Sequence, residues 1–331
     1  MLKFSVFLSI IKLLKTFYEH HPINERVIFV NVIILISSIF QNLLGGGELM
    51  TRSMIQPYFV LSAKKYYKVI MNNYGISHFY TFRRDVLESE DIIAVPDGCF
   101  DLLFTCNDVS PSAEICASVL HPKKVLSTPS SSYFGVRFYP GECIVDQNIS
   151  IKEIIGNTVS LTDIFDTREV FEKIVTCNDF MAQVSIFLEF YTKQIAKSKS
   201  TANDLLKKHM ITRIIESKGQ LKVKELAYDI GYSERHINHR FVEYFGISPK
   251  VFSKIIRFQY VLNKLNEFNN CPNQRNLTLI AQEAGYYDQS HMYKDFSEFS
   301  NSSPGQYLDL LRQKDYYNRL VVIQPTIITT L

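Results

Sequence analysis

No two cysteines in this chain stand in CxxC spacing, which argues against a zinc knuckle and against a small disulfide-stapled fold. Cys99, Cys106, Cys116, Cys143, Cys177 and Cys271 are instead scattered, as reduced thiols in a cytoplasmic protein would be. The histidines are dispersed too. His236 and His239 stand three apart, a spacing that suits a metal, but a third ligand is lacking nearby, so no metal and no cofactor is expected. Strong charge of either sign is also missing. The formal net charge is +3, too little for a whole-molecule attraction to a polyanion. Nor is there an apolar run of the roughly 18–20 residues that a membrane span needs. The best, Val27–Phe40, has 14 residues and contains Asn31, Ser37 and Ser38. Extending it to Leu44 brings in Gln41 and Asn42. Phe4–Leu14 has the look of a signal-peptide core, but Lys12 interrupts it and no small-residue cleavage site follows closely.

What is present divides the chain. Residues 1–49 are hydrophobic and unlike the rest. Gly45-Gly46-Gly47-Glu48 stands just before Met50. Such codons make a G-rich message, as a bacterial ribosome-binding site is a few nucleotides before a start codon. The expectation is that translation starts at Met50 or Met54 and that residues 1–49 are read-through of upstream sequence. A membrane-anchoring helix and an ordinary hydrophobic extension are the alternatives. Mass spectrometry of the native N-terminus decides: peptides from residues 1–49 in cell extract would contradict the first.

From about Pro57 to Ser150 short stretches rich in Val, Ile, Phe and Tyr predict strands at Phe79–Arg83, Ile92–Val95, Cys99–Thr105 and Tyr133–Tyr139. Turn residues bound them: Pro96-Asp97-Gly98, Asn107-Asp108, Pro111, Pro129 and Pro140-Gly141. A sandwich or barrel is expected. Helical pieces follow at Leu161–Phe165, Val170–Val175 and Asp179–Ile195. Cys99 has no local base to make it a nucleophile, and Asp97 and Asp101 flank a turn that enters a strand. No catalytic residue is expected.

The strongest signal is an internal repeat. Val223-Lys-Glu-Leu226-Ala227-Tyr-Asp-Ile230-Gly231-Tyr232 returns as Leu277-Thr-Leu-Ile280-Ala281-Gln-Glu-Ala284-Gly285-Tyr286, 54 residues on. Phe241, Gly246, Ser248, Pro249 and Phe252 return as Phe296, Asn301, Ser303, Pro304 and Tyr307 at an offset of 55, so the second copy has one extra residue. The first four apolar positions of each copy lie at i, i+3, i+4, i+7, one face of a helix. Ala227 and Ala281 let a second helix cross closely. Gly231 and Gly285 suit a left-handed helix stop. Ser233 and Asp288 suit the cap of the next helix. That helix ends at Gly246 in one copy and Asn301 in the other. Ser248-Pro249 and Ser303-Pro304 then start a further helix. The first of these, roughly Pro249–Phe268, joins two helix-turn-helix units.

At about 100° per residue, Ile237, Phe241 and Tyr244 cluster inward on the second helix of the first unit, with Phe245 nearby. Arg235 and His239 point outward, flanked by His236 and Asn238. In the second unit Met292, Phe296 and Phe299 point inward. Ser290 and Lys294 point outward, flanked by His291 and Tyr293, with Gln289 at the helix start. Polar side chains at the start of such helices can meet base edges in the major groove: Arg pairs with guanine, Asn or Gln with adenine. Charge agrees in sign. Between Thr201 and Leu320, Lys and Arg outnumber Asp and Glu by 17 to 13, whereas the rest of the chain is close to neutral.

These motifs resemble the AraC/XylS family of transcription regulators over Thr201–Tyr317. The family pattern stands here as Ala227, Gly231-Tyr232-Ser233, Arg240-Phe241, Gly246 and Ser248-Pro249. It recurs as Ile280-Ala281, Gly285-Tyr286, Asp288-Gln289-Ser290-His291, Phe296 and Ser303-Pro304. The resemblance implies two recognition helices in successive major-groove segments on one face of double-stranded DNA. Carried over by position, Arg235, Asn238, His239, Gln289, Ser290, Tyr293 and Lys294 are the base or phosphate contacts. His236, on the flank, joins them as a DNA-binding residue. His239 stands where the family commonly has Arg, and Asn301 where it has Gly. Val95-Pro96-Asp97-Gly98-Cys99-Phe100-Asp101 and Gly135-Val136-Arg137-Phe138-Tyr139-Pro140-Gly141 resemble a sensory domain found ahead of such units, which implies a β-rich, cupin-like effector domain.

The expected architecture is α+β: a cupin-like N-terminal domain, then an all-α domain with two helix-turn-helix units. The expected division is a hydrophobic extension at 1–49, a sensory domain at 50–199, a DNA-binding domain at 200–318 and a tail at 319–331. The function expected is a sequence-specific transcription regulator rather than an enzyme. RNA polymerase, a small-molecule effector and a second copy in a homodimer are partners left open. A membrane-tethered regulator, or a sensor using Cys99 or Cys143 to accept a group, is the alternative.

Overall fold

The computed structural model describes residues 54–84, 91–125, 131–143, 151–161, 168–195, 202–269 and 276–323, without the side chains at 152–153, 202–203 and 268–269. The extension at 1–49, Pro129, Cys271, most of the Leu161–Phe165 piece and the chain past Ile323 lie outside these residues. In chain order the first part comprises α1 (Pro57–Leu61), β1 (Ala63–Asn73), β2 (Ile76–Arg84), β3 (Ile92–Ala94), β4 (Phe100–Cys106), β5 (Ser112–Ala117), β6 (Lys123–Val125) and β7 (Ser132–Phe138). Then come α2 (Ile151–Ile154), β8 (Thr158–Ser160), α3 (Arg168–Thr176) and α4 (Phe180–Ile195). The second part is helical: α5 (Ala202–Glu216), α6 (Val223–Ile230), α7 (Glu234–Phe245), α8 (Pro249–Asn269), α9 (Leu277–Glu283), α10 (Gln289–Ser300), α11 (Pro304–Gln313) and α12 (Tyr316–Arg319). A last strand, β9 (Leu320–Ile323), follows.

A β-rich part thus precedes an all-α part, as expected. Seven strands form one sheet in the order β8-β5-β4-β7-β2-β1-β9, and β3 pairs with β6 separately. Neighbours are antiparallel except β1 and β9, which run parallel. Alternate side chains leave a strand on opposite faces. One face buries Val69, Phe79, Leu102, Phe104, Phe134, Val136 and Phe138 against Ile174 of α3 and Val184, Phe187 and Tyr191 of α4. The other buries Tyr66, Tyr80, Phe82, Leu103 and Tyr133 in the core shared with α1 and the helical part. Its rings stack, Tyr66 on Tyr80 at 5.4 Å and Phe82 on Tyr133 at 4.9 Å between centroids. Tyr80 lies flat on Gly135, where any Cβ would collide with the ring.

Among the described residues, five strands carry no mark in the sequence: β1, β5, β6, β8 and β9. β1 is interrupted by Lys64, Lys65 and Lys68, whose charges hide its alternation, yet Tyr66, Val69 and Met71 are buried. The tail is not wholly a tail: Leu320–Ile323 pairs with Tyr66–Val69 at the sheet edge. Arg319 anchors this return by donating to the carbonyls of Leu61 and Ala63 at 3.0 and 2.9 Å.

The repeat folds as two matched units. Leu226 and Ala227 of α6 and Ile280 and Ala281 of α9 are buried. Gly231 ends α6 with φ +76°. α9 differs: it stops at Glu283 with Ala284 in a right-handed conformation, and only then does Gly285 turn left-handed at φ +75°. The extra residue, Tyr287, follows there. α7 and α10 end at Gly246 and Asn301, with φ of +70° and +56°. The joining helix α8 runs 21 residues, one beyond the expected end.

Candidate nucleic-acid interface

Each second helix is started by its own cap. Ser233 Oγ accepts from the His236 amide at 3.3 Å, and Asp288 Oδ1 from the His291 amide at 2.7 Å. The carboxylate adds a favourable charge at the positive end of α10. Ile237, Phe241 and Phe245 bury one face of α7, and Met292, Phe296 and Phe299 one face of α10. Tyr244, expected inward, is only half buried. On the opposite faces Arg235, His239, Ser290 and Lys294 are exposed, while His236, Asn238, Gln289 and Tyr293 are half buried.

The half-buried side chains already have partners. Asn238 Nδ2 donates to the Glu234 carbonyl at 2.8 Å. Gln289 Nε2 donates to Tyr293 Oη at 2.9 Å, and its Oε1 accepts from Thr278 Oγ1 at 3.2 Å. His236 stacks on Tyr232 with centroids 4.4 Å apart. His239 Nδ1 lies 3.9 Å from Glu243, and Arg240 reaches the same carboxylate at 3.0 Å. Of the eight positions, Arg235, Ser290 and Lys294 therefore stand outward with the fewest ties to their own helices.

Ion pairs set the units in place. Lys254 of α8 bridges Asp295 and Glu298 of α10 at 3.1 and 2.8 Å. Tyr260 of α8 donates to Glu283 at 2.8 Å, and Gln220, ahead of α6, donates to the Glu283 carbonyl at 2.8 Å. The β-rich part touches the C-terminal ends of both α7 and α10. Gly141 fits against Phe245, the last residue of α7, and Tyr58 Oη donates to the carbonyl of Ser300, the last of α10, at 3.4 Å.

A polar cluster lies under the sheet, and only its turn is marked in the sequence. Asp97 and Asp101 indeed flank the turn into β4, with Cys99 N donating to Asp97 Oδ1 at 3.0 Å. Both carboxylates also grip Arg137 of β7, which is 5% exposed: Asp97 at 2.9 Å, and Asp101 through two bonds of 3.0 and 2.6 Å. Strand pairing places Arg137 opposite Asp101, a relation between distant segments that spacing cannot show. Burial works against the Arg137 charge, but Asp101 and Asp97 outweigh it and hold its pKa well up. Burial also raises Asp97, against the pull of Arg137. His78 is driven well below the ordinary imidazole value by burial and by Lys68 and Arg137. Burial pushes the Cys99 thiol up, with Asp97 adding to it, the reverse of an activated thiolate. Among the described residues, no helix is long and apolar enough to cross a membrane, and no group of three or more His, Cys, Asp or Glu could hold a metal ion.

A family described as a helix-turn-helix domain matches residues 226–309. No curated protein matches the chain. Among solved structures the chain is similar to an apo form of ToxT from Vibrio cholerae, at 14% identity and a TM-score of 0.39, over 72% of this chain and 99% of that one. A second ToxT structure from that organism gives 10% identity and a TM-score of 0.39, over 70% and 97%. A third, of ToxT with an unsaturated fatty acid bound, gives 16% and 0.34, over 66% and 85%. The matched turns, caps and buried faces of the two units and the family match coincide in the same residues: positions 226–309 belong to the AraC-type helix-turn-helix family, the DNA-binding part of a transcription regulator.

Proposed function

We propose that the chain is a sequence-specific transcription regulator that lays α7 and α10 into successive major-groove segments of one duplex. The observation that carries this is the shared polarity of the two helices. Their C-terminal ends, Phe245 and Ser300, rest on the β-rich part. Their N-terminal turns, with Arg235 and Ser290, are exposed. Recognition helices of this motif meet base edges with that same end. In this reading Arg235 reads a base, most naturally guanine. Lys294 and Ser290 meet bases or phosphates. His236, Asn238, His239, Gln289 and Tyr293 complete the surface, with Asn238 and Gln289 exchanging bonds to their own helix for bonds to DNA. Residues 50–199 take the sensory role and 200–318 the DNA-contacting role, in the cytoplasm and without catalysis. A small-molecule effector, RNA polymerase and a second copy are the partners to be sought.

The test is selection from a random duplex pool with the full chain, followed by a salt titration of the selected duplex. Specific enrichment is expected, with log affinity falling linearly against log salt at a slope of about −0.9 per phosphate contacted. Failure to enrich any sequence would refute the reading.

A further inference from the structure

We infer that Gln259 is a positioning residue for DNA recognition: it fixes the connector α8 to the β-rich part and thereby sets the spacing and angle between the two recognition helices. The inference rests on the DNA-binding reading above. Gln259 is the central residue of α8, ten residues from Pro249 and ten from Asn269. Ile255, Phe258 and Leu262 around it are fully buried apolar residues, whereas Gln259 is polar and only 1% exposed. Among the described residues, the hydrogen bonds of its side chain all run to the β-rich part. Its Oε1 accepts from the Ile55 amide at 2.9 Å. Its Nε2 donates to the carbonyls of Ile55 and Pro96 at 3.3 and 2.8 Å.

Those partners are themselves clamped. Gln56 donates to the Val95 carbonyl at 2.6 Å and to Asp97 at 2.8 Å, and accepts from the Val95 amide at 2.9 Å. Asp97 is held by Arg137. A rigid path therefore runs from the underside of the sheet, through the Val95–Asp97 turn, to the middle of the connector. A buried amide fits one arrangement of donors and acceptors, whereas apolar contacts alone tolerate sliding.

Further contacts surround it. Gly98 presses on Phe252 of α8, so that a Cβ there would stand 2.7 Å from the ring. Gly141 meets Ile211 of α5 and Phe245 of α7, with a Cβ falling 2.5 and 3.1 Å away. Tyr58 meets Ser300 and Ser302 beside α10. The first unit, the connector and the second unit are thus each docked on the β-rich part, with the only buried amide at the centre among the described contacts of α8 to that part. The helix pair is braced from behind rather than by α8 alone.

The test uses the full chain, the duplex selected above, and the same duplex with one base pair added between its half-sites. Affinity is measured on both, with thermal unfolding in parallel. Gln259→Leu keeps the volume and removes the bonds. It is expected to cut the discrimination between the two spacings about fivefold or more. A merely structural role would lower the melting temperature and leave the ratio of affinities unchanged, and that result would overturn the inference alone. Tyr58→Phe keeps its ring, removes one docking hydroxyl, and is expected to reduce the ratio in the same direction. Should Gln259→Leu fail to fold, an unchanged ratio in Tyr58→Phe would overturn it. Absence of selective binding by the unaltered chain would remove the DNA-binding reading, and the inference with it.

Discussion

In the proposed binding mode, base reading depends most on Arg235. It is exposed, on the first turn of α7, beyond the Ser233 cap. Replacing it with Ala should cost roughly 1–3 kcal/mol of binding and relax preference at one base pair. Competition with duplexes altered at each position reads both effects; unchanged binding would mean that the helix meets DNA by another face. His78 supports a different prediction. Burial, Lys68 and Arg137 hold its pKa well below the unfolded value of about 6.5. Below that pH the unfolded chain takes up a proton that the folded chain refuses, so acid costs stability. Above it neither state is charged and the effect vanishes. His78→Gln should therefore lose less melting temperature than the unaltered chain between pH 7 and pH 5. Equal losses in the two would show that His78 titrates freely.

Among the elements, the caps decide where α7 and α10 begin. Asp288→Ala removes the acceptor of the His291 amide and a charge at the start of α10, and should cost about 1 kcal/mol of stability. Chemical denaturation measures it; no change in midpoint would mean that the cap is replaced by solvent. This level was the most legible in the sequence, because a cap, an apolar face and a left-handed stop lie within a dozen residues of one another. Ser233, Asp288 and Ser303 could be identified as caps for that reason. Asn276, which accepts from the Leu279 amide at 3.0 Å, caps α9 without a motif that marked it. β1 and β9 were illegible for a different reason. A strand is fixed by what pairs beside it, and β1 carries three lysines while β9 has four residues. The Arg137 grip on Asp97 and Asp101 was hidden likewise, since it joins positions 36 and 40 residues apart through strand pairing.

Across the whole molecule, β9 makes the end of the helical part a member of the sheet that precedes it. This closure ties the two parts together and covers the edge of β1, whose open backbone would otherwise invite pairing. Arg319→Ala removes the two bonds that anchor β9 and should lower stability by roughly 1–3 kcal/mol. Thermal unfolding and sedimentation check this, with increased self-association as the second expected effect; an unchanged melting temperature would show that the anchor contributes nothing. In the proposed function, α7 and α10 meet one duplex together. Methylation protection of the selected duplex tests it most directly, because it probes major-groove guanine positions one by one. Two protected patches are expected on one face of the helix, about 10–10.5 base pairs apart, with Arg235→Ala clearing part of only one. A single patch, or two on opposite faces, would contradict it.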